Sequence, residues 1–189
     1  MYEVELKLQA DHAPIRERLA DRATHLGTVT QRDTYYDAPH RDFAETDEAV
    51  RVRVEEPADG PAVARLTYKG PLVDETSKTR EEHETGVDSG PAARAILEGL
   101  GFDPAAVVEK NRERYALGEY TITFDTVRGL GEFIEIETEV EDESAVPAAR
   151  DRARNILSEL GLDPEQTVRT SYLGLLLAAD EPTDPDAPE

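Results

Sequence analysis

Apolar and polar residues alternate along the first segment of the chain, with Val4, Leu6 and Leu8 set between Glu3, Glu5 and Lys7. Successive side chains of a β-strand point to opposite faces, so this spacing predicts a strand over 2–9 with one aliphatic and one charged face. The pattern recurs. Val50, Val52 and Val54 oppose Arg51 and Arg53; Leu66 and Tyr68 oppose Thr67 and Lys69; Ile122 and Phe124 oppose Thr121, Thr123 and Asp125. Ile134 and Ile136 oppose Glu135, Glu137 and Glu139, while Lys110, Arg112 and Arg114 share a parity. Arg80, Glu82 and Glu84 alternate with less apolar neighbours, a weaker signal. Strands are expected over 28–37, 49–55, 62–69, 79–87, 107–116, 119–127 and 132–140, split by Pro57, Gly60, Gly70 and Pro71.

Helical spacing of Ile15, Leu19, Ala23 and Leu26 predicts a helix over 11–26, stopped by Gly27. Two further helices are expected over 91–100 and 145–160, stopped by Gly101 and Gly161. The segment 166–178 reads as extended, closing in an apolar stretch from Tyr172 to Ala179. One domain is expected over 1–179, with a disordered acidic tail over 180–189. Ile96-Leu97-x-x-Leu100-Gly101-x-Asp103-Pro104 recurs as Ile156-Leu157-x-x-Leu160-Gly161-x-Asp163-Pro164, and Leu26-Gly27 is a shorter echo. Convergent helix-stop chemistry and a pseudo-symmetric fold both account for this repeat.

Composition narrows the function classes. The 189 residues suit one compact domain or two small ones. With no cysteine there is no disulfide framework and no thiolate chemistry. No apolar run reaches the ~18 residues of a membrane span. The first strand pattern begins at the amino terminus, which leaves no room for a signal peptide and makes the cytoplasm the expected compartment. Acidic residues number 42 against 21 basic ones, for a net charge of −21. Such a surface repels nucleic acid and anionic membranes. Seventeen of the basic residues are arginine and four are lysine. An acid-rich, lysine-poor surface suggests a cytoplasm of high salt, and hence a halophilic source.

The charge bias also bears on the strands. A solvent face of this chain should be acidic and short of lysine. Yet Lys7, Lys69 and Lys110 all sit in the alternating strands, beside Arg51, Arg53, Arg112 and Arg114. If these strands close into a barrel, the polar faces can point inward and the aliphatic faces can pack beneath helices. Enclosed charges need partners. Carboxylates suit a divalent cation such as Mg²⁺, and lysine and arginine suit a polyanion. A nucleoside triphosphate or inorganic polyphosphate carrying metal meets both needs.

Taken in order, the motifs resemble the CYTH superfamily, the triphosphate tunnel metalloenzymes, over roughly residues 2–177. They are Glu3-x-Glu5-x-Lys7, Gln31-x-Asp33-x-Tyr35-Tyr36-Asp37, Arg51-x-Arg53, Leu66-Thr67-Tyr68-Lys69-Gly70-Pro71, Lys110-x-Arg112 and Gly129-Leu130-Gly131-Glu132-Phe133-x-Glu135-x-Glu137. The first and last are most similar to the CyaB-type, class IV adenylate cyclase branch. The resemblance implies an α+β fold: an antiparallel β-barrel of about eight strands forming a charged tunnel, with helices packed outside. It implies metal binding by Glu3, Glu5, Asp125, Glu135 and Glu137, with two Mg²⁺ or Mn²⁺ ions expected. It implies triphosphate binding by Lys7, Arg51, Arg53, Lys69, Lys110 and Arg112, with Glu3, Glu5, Lys7 and Arg53 central to catalysis.

Three activities fit these residues. A cyclase would convert ATP to 3′,5′-cyclic AMP and pyrophosphate. A triphosphatase would hydrolyse the terminal phosphate of inorganic or thiamine triphosphate, with Tyr35 or Tyr36 beside Lys7 to activate water. A nucleotide- or polyphosphate-binding module would not turn its ligand over, and would have no use for the carboxylates. No P-loop is present, so phosphate binding falls to side chains. His12, His25, His40 and His83 lack metal-ligand spacing and read as surface residues. Arg16, Arg18 and Arg22 read as a solvated helix face with local ion pairs. A homodimer is compatible with the sequence.

Overall fold

The computed structural model describes residues 2–73 and 78–180. Eight antiparallel strands close into a barrel in the spatial order β1-β5-β4-β3-β2-β6-β7-β8. They are β1 (Tyr2–Gln9), β2 (Thr24–Asp37), β3 (Ala49–Pro57), β4 (Val63–Leu72), β5 (Lys78–Val87), β6 (Asp103–Leu117), β7 (Tyr120–Val127) and β8 (Gly131–Val140). Closure comes from β1, which pairs with β5 on one side and β8 on the other. The helices are α1 (His12–Leu19), α2 (Gly90–Gly99), α3 (Val146–Glu159) and α4 (Tyr172–Asp180). No described helix is long and apolar enough to cross a membrane. The expected tail lies outside the described residues from 181 onward.

The alternation explains the architecture. Aliphatic residues turn outward and are covered by helices. Leu6, Leu8, Ile122, Phe124, Ile134 and Ile136 pack against Ile15 and Leu19 of α1 and against Ala153, Ile156, Leu157 and Leu160. On another side, Val50, Val52, Tyr36 and Phe43 meet Ala93 and Leu97 of α2. Each apolar side chain buried in this way contributes roughly 1.5–3 kcal/mol. The polar faces are left to the barrel interior.

Three expectations need correction. The first helix ends at Leu19, and residues 24–26 belong to β2. Ala23 and Leu26 continue the helical spacing by coincidence, since Leu26 is exposed. Gly27 stops no helix; with φ +121° it sits where the β2–β6 register slips between His25 and Gly27, a conformation that suits glycine. His12 is buried, with its Nε2 3.0 Å from the Phe133 carbonyl oxygen and its ring edge-on to Phe124. Arg16 and Arg22 do carry ion pairs, but to Glu113 of β6 and Glu159 of α3, so they tie α1 to the barrel and to α3.

The repeated helix ends share one geometry. Phe102 N–H donates to the Leu97 carbonyl and Leu162 N–H to the Leu157 carbonyl, each with an inner bond from the glycine before it. Both are Schellman caps. Beyond them the chain diverges, entering β6 in one case and a 3₁₀ turn at Pro164–Gln166 in the other.

Candidate active site

The barrel encloses a cavity of about 1280 Å³. Every metal- or phosphate-binding residue expected from the sequence lines it except Asp125, which is fully buried in its wall. Strand register explains the convergence. Glu5 lies across from Glu137 and Lys7 across from Glu135, while Arg112 lies across from Asp125. Residues of one parity share the inner face, so motifs more than a hundred positions apart become neighbours.

The cations are held by carboxylates. Arg53 makes two bonds of 2.7 Å to Asp33, and Arg51 reaches the same carboxylate at 3.3 Å. Arg112 forks onto Asp125 at 2.7 and 2.6 Å and also bonds Glu135. Lys110 donates to Asp125 at 3.1 Å. Lys69 bridges Glu3, at 2.8 Å, and Glu82.

Electrostatics follow from this pairing. Burial disfavours the Asp33 charge, but Arg53 and Arg51 prevail and hold its carboxyl well below the usual range. Glu135 behaves likewise, with Arg112, Lys110 and Lys7 outweighing burial. Burial and the adjacent Arg112 push the Lys110 ammonium down to about 8, against the pull of Asp125 and Glu135.

One side of the cavity is less well compensated. Glu5 faces Glu137 and Glu3 faces Glu139 across the β1–β8 ladder. Like charges directly opposite each other repel. Glu5 meets Lys7 at 4.0 Å and Glu137 meets Arg112 at 3.8 Å, both loose contacts. Burial, opposed by Arg112 and reinforced by Glu3, Glu135 and Glu5, pushes Glu137 up to about 7. A surplus of hard oxygen donors fits Mg²⁺ or Mn²⁺. Among the described residues no three carboxylates already converge in metal-binding geometry. An ion here would draw Glu5 and Glu137 together, whereas Glu3 would first have to release Lys69, and Asp125 and Glu135 would have to release Arg112.

Several interior residues were given no role from the sequence, although Gln31 and Asp33 stand in one of the motifs and Glu82 in an alternating strand. Asp33, Gln31, Glu55 and Glu82 follow from the same parity rule, applied to β2, β3 and β5. Tyr172 had no such signal. The Val168 N–H donates to the Lys7 carbonyl at 2.7 Å, which brings α4 onto the barrel. Tyr172 packs on Phe133 and donates its hydroxyl to Asp125 at 3.0 Å. The Nζ atoms of Lys7 and Lys110 lie 4.4 and 4.9 Å from its ring centre. The tyrosine beside Lys7 is therefore Tyr172. Tyr35 points inward to the same apolar cluster, and Tyr36 packs beneath α2.

A closed antiparallel barrel with cations and carboxylates on its inner wall defines a tunnel-type protein built for a highly charged ligand. The chain belongs to the CYTH domain family, whose model matches residues 1–172. A Methanocaldococcus jannaschii protein, provisionally named an adenylate cyclase, is 35% identical over 180 residues, covering 93% of this chain and 98% of that one. Adenylate cyclase CyaB of Aeromonas hydrophila is 28% identical over 142 residues, 75% of this chain and 70% of that protein. The solved structure of the PH1819 protein from Pyrococcus horikoshii OT3 superposes with a TM-score of 0.88 at 41% identity, over 94% of this chain and 99% of that one.

Proposed function

We propose that this protein is a metal-dependent phosphoryl-transfer enzyme acting on a triphosphate inside the barrel, and that its reaction is the conversion of ATP to 3′,5′-cyclic AMP and pyrophosphate. The observation that carries this reading is the division of the interior. Buried Arg51, Arg53, Lys110 and Arg112, with Lys69, supply a polyanion site, and the loosely paired Glu5 and Glu137, joined by Glu3 once Lys69 lets it go, supply a cation site. The names of two relatives support the choice of cyclase.

In this reading Arg51 and Arg53 grip phosphate oxygens as planar forks, and Lys69, Lys110 and Arg112 neutralise the rest of the chain of phosphates. Catalysis rests on positioning and on charge stabilisation by side chains held in place within the barrel. Lys7, 1% exposed, is held against Tyr172 and so cannot drift from the phosphates. Bound Mg²⁺ or Mn²⁺, on Glu3, Glu5 and Glu137, would offset charge and lower the pKa of the attacking group. In the reaction the ribose 3′-hydroxyl would give its proton to water, its oxygen bonding to the α-phosphorus as the bond from that phosphorus to the bridging oxygen breaks and pyrophosphate leaves.

One observation favours a second reading, triphosphate hydrolysis. The Tyr172 hydroxyl sits on Asp125 among Lys7 and Lys110, a set of groups suited to activating water. Product analysis separates the two. With Mg²⁺ or Mn²⁺ and molar salt, ATP should yield cyclic AMP and pyrophosphate. Orthophosphate from inorganic or thiamine triphosphate, with no cyclic AMP from ATP, would replace the cyclase reading with the hydrolase.

A further inference from the structure

The barrel interior contains a polar atom that no phosphate oxygen can satisfy. Gln31 lines the cavity from β2, across from Glu55 on one side and Lys110 on the other. It is 1% exposed. Its Nε2 donates to Glu55 Oε2 at 2.6 Å, and its Oε1 has no partner. The orientation is not arbitrary. An ionised carboxylate only accepts hydrogen bonds, so the amide nitrogen must face Glu55. Glu55 stays ionised because Gln31 and the nearby Arg114, Arg53 and Arg65 outweigh its burial; Arg114 donates to it at 3.2 Å. The carbonyl oxygen is thereby fixed as an acceptor without a donor, which is unfavourable for a buried polar atom.

At neutral pH the oxygens of a triphosphate act as acceptors, and its O–H donors are essentially the waters on its metal. A nucleoside adds donors of its own, through its ribose hydroxyls and the exocyclic amino group of adenine. A divalent ion with its waters is a poor match for Oε1, because Lys110, across from Gln31, and Arg53, across from Asp33 two positions on, repel cations, and the Glu55 carboxylate is already held by Gln31 and Arg114. We propose that Gln31 is a specificity-determining residue: its carbonyl oxygen accepts a hydrogen bond from the nucleoside part of a nucleoside triphosphate, so that the barrel distinguishes ATP from inorganic triphosphate. This inference rests on the triphosphate reading of the site. A site built to accept a particular donor discriminates against ligands lacking it, because its own polar group is then left unpaired.

Titration calorimetry tests the proposal, with Ca²⁺ replacing Mg²⁺ to slow turnover. Wild-type protein and Gln31→Met, which keeps length and volume but loses the amide, are each titrated with ATP, inosine triphosphate, 2′-deoxy-ATP, 3′-deoxy-ATP and inorganic triphosphate. The substitution should weaken ATP binding about tenfold and change inorganic triphosphate affinity less than twofold. In the wild type, the analogue lacking the donor that Gln31 reads should bind about tenfold more weakly than ATP, and in the variant that gap should close. Inosine triphosphate as the weak ligand identifies the amino group; a deoxy analogue identifies the corresponding hydroxyl. Equal losses for ATP and inorganic triphosphate would overturn the proposal, as would equal affinity of the wild type for ATP and all three analogues. The second comparison needs no variant, so it stands even if Gln31→Met fails to fold. Absence of binding by every triphosphate would overturn the functional reading itself, a different result from binding without discrimination.

Discussion

Asp33 offers the sharpest test of how the interior is held together. It is 1% exposed and accepts two bonds of 2.7 Å from Arg53 and one of 3.3 Å from Arg51. Asp33→Asn keeps the volume and removes the charge, leaving buried Arg53 without its carboxylate partner and Arg51 with only Glu82, at 3.9 Å. Breaking a buried pair from one side costs about 3–5 kcal/mol. At roughly 2–4 °C per kcal/mol for a chain of this size, the melting temperature should fall by about 10 °C. Asp33 also competes with any polyanion for Arg51 and Arg53. The variant should therefore bind inorganic triphosphate more tightly, and saturating ligand should restore much of the lost stability; ~100-fold excess over Kd is worth about 2.7 kcal/mol. The acid limb of stability should change too. A carboxyl whose pKa is lowered on folding contributes stability above its unfolded pKa and loses it as pH falls toward the folded value. The wild type should lose this contribution below about pH 4, and the variant should lack it at every pH. Differential scanning calorimetry with and without triphosphate reads all three effects. A melting shift under ~2 °C, or a smaller gain from triphosphate in the variant than in the wild type, would refute the reasoning.

Glu5→Gln should reduce turnover by at least about 100-fold at unchanged melting temperature, because Glu5 has only a loose contact to lose; near-normal activity would remove it from the metal site. Metal affinity should rise as pH increases through about 7, where Glu137 sheds its proton. Triphosphate affinity should fall above about 8, where Lys110 does the same. A pH profile of kcat/KM should then peak between these values, and a flat profile from pH 6 to 9 would count against both roles. EDTA should abolish turnover and weaken triphosphate binding, whereas undiminished binding would favour a non-catalytic module. Dilution from molar salt into low-salt buffer should lower the melting temperature, since 42 acidic residues then repel with less screening; equal stability in both would remove the case for halophilic adaptation.

Legibility in the sequence tracked how local each cause is. Side-chain alternation is a property of single strands, so Glu3, Glu5, Lys7, Arg51, Arg53, Lys69, Lys110, Arg112, Glu135 and Glu137 could be assigned to one face before any pairing was known. Which face is inside depends on closure, and the misplaced lysines of an acid-rich chain carried that inference. Where a segment's pattern was ambiguous, reading failed. Ala23 and Leu26 extended a helix that ends at Leu19, and β2 begins earlier than its alternation suggests. His12 gave no sign of its burial, because its partners Phe133 and Phe124 lie over a hundred residues away. Tyr172 is the same case: only tertiary docking of α4 brings its hydroxyl to Asp125.

The interior's pairings constrain how it can work. A cage of lysines and arginines with no counter-charge would be too costly to fold. Here Asp33 neutralises Arg51 and Arg53, Asp125 and Glu135 neutralise Arg112 and Lys110, and Glu3 and Glu82 neutralise Lys69. These carboxylates stand where a polyanion's oxygens would otherwise sit, and they hold each cation at the cavity wall. Ligand binding is then an exchange of partners within a prearranged frame, with little side-chain entropy left to lose. The carboxylates differ in how readily they can be released. Asp33 and Asp125 are fully engaged and belong to the frame, whereas Glu5 and Glu137 are loosely paired, and burial, with repulsion from Glu3, Glu135 and Glu5 added to it, raises the pKa of Glu137. On the proposed function, a divalent cation entering with the triphosphate would relieve that repulsion as the phosphates take up the cations. Metal and polyanion should therefore bind cooperatively, each compensating the charge that the other's arrival leaves exposed.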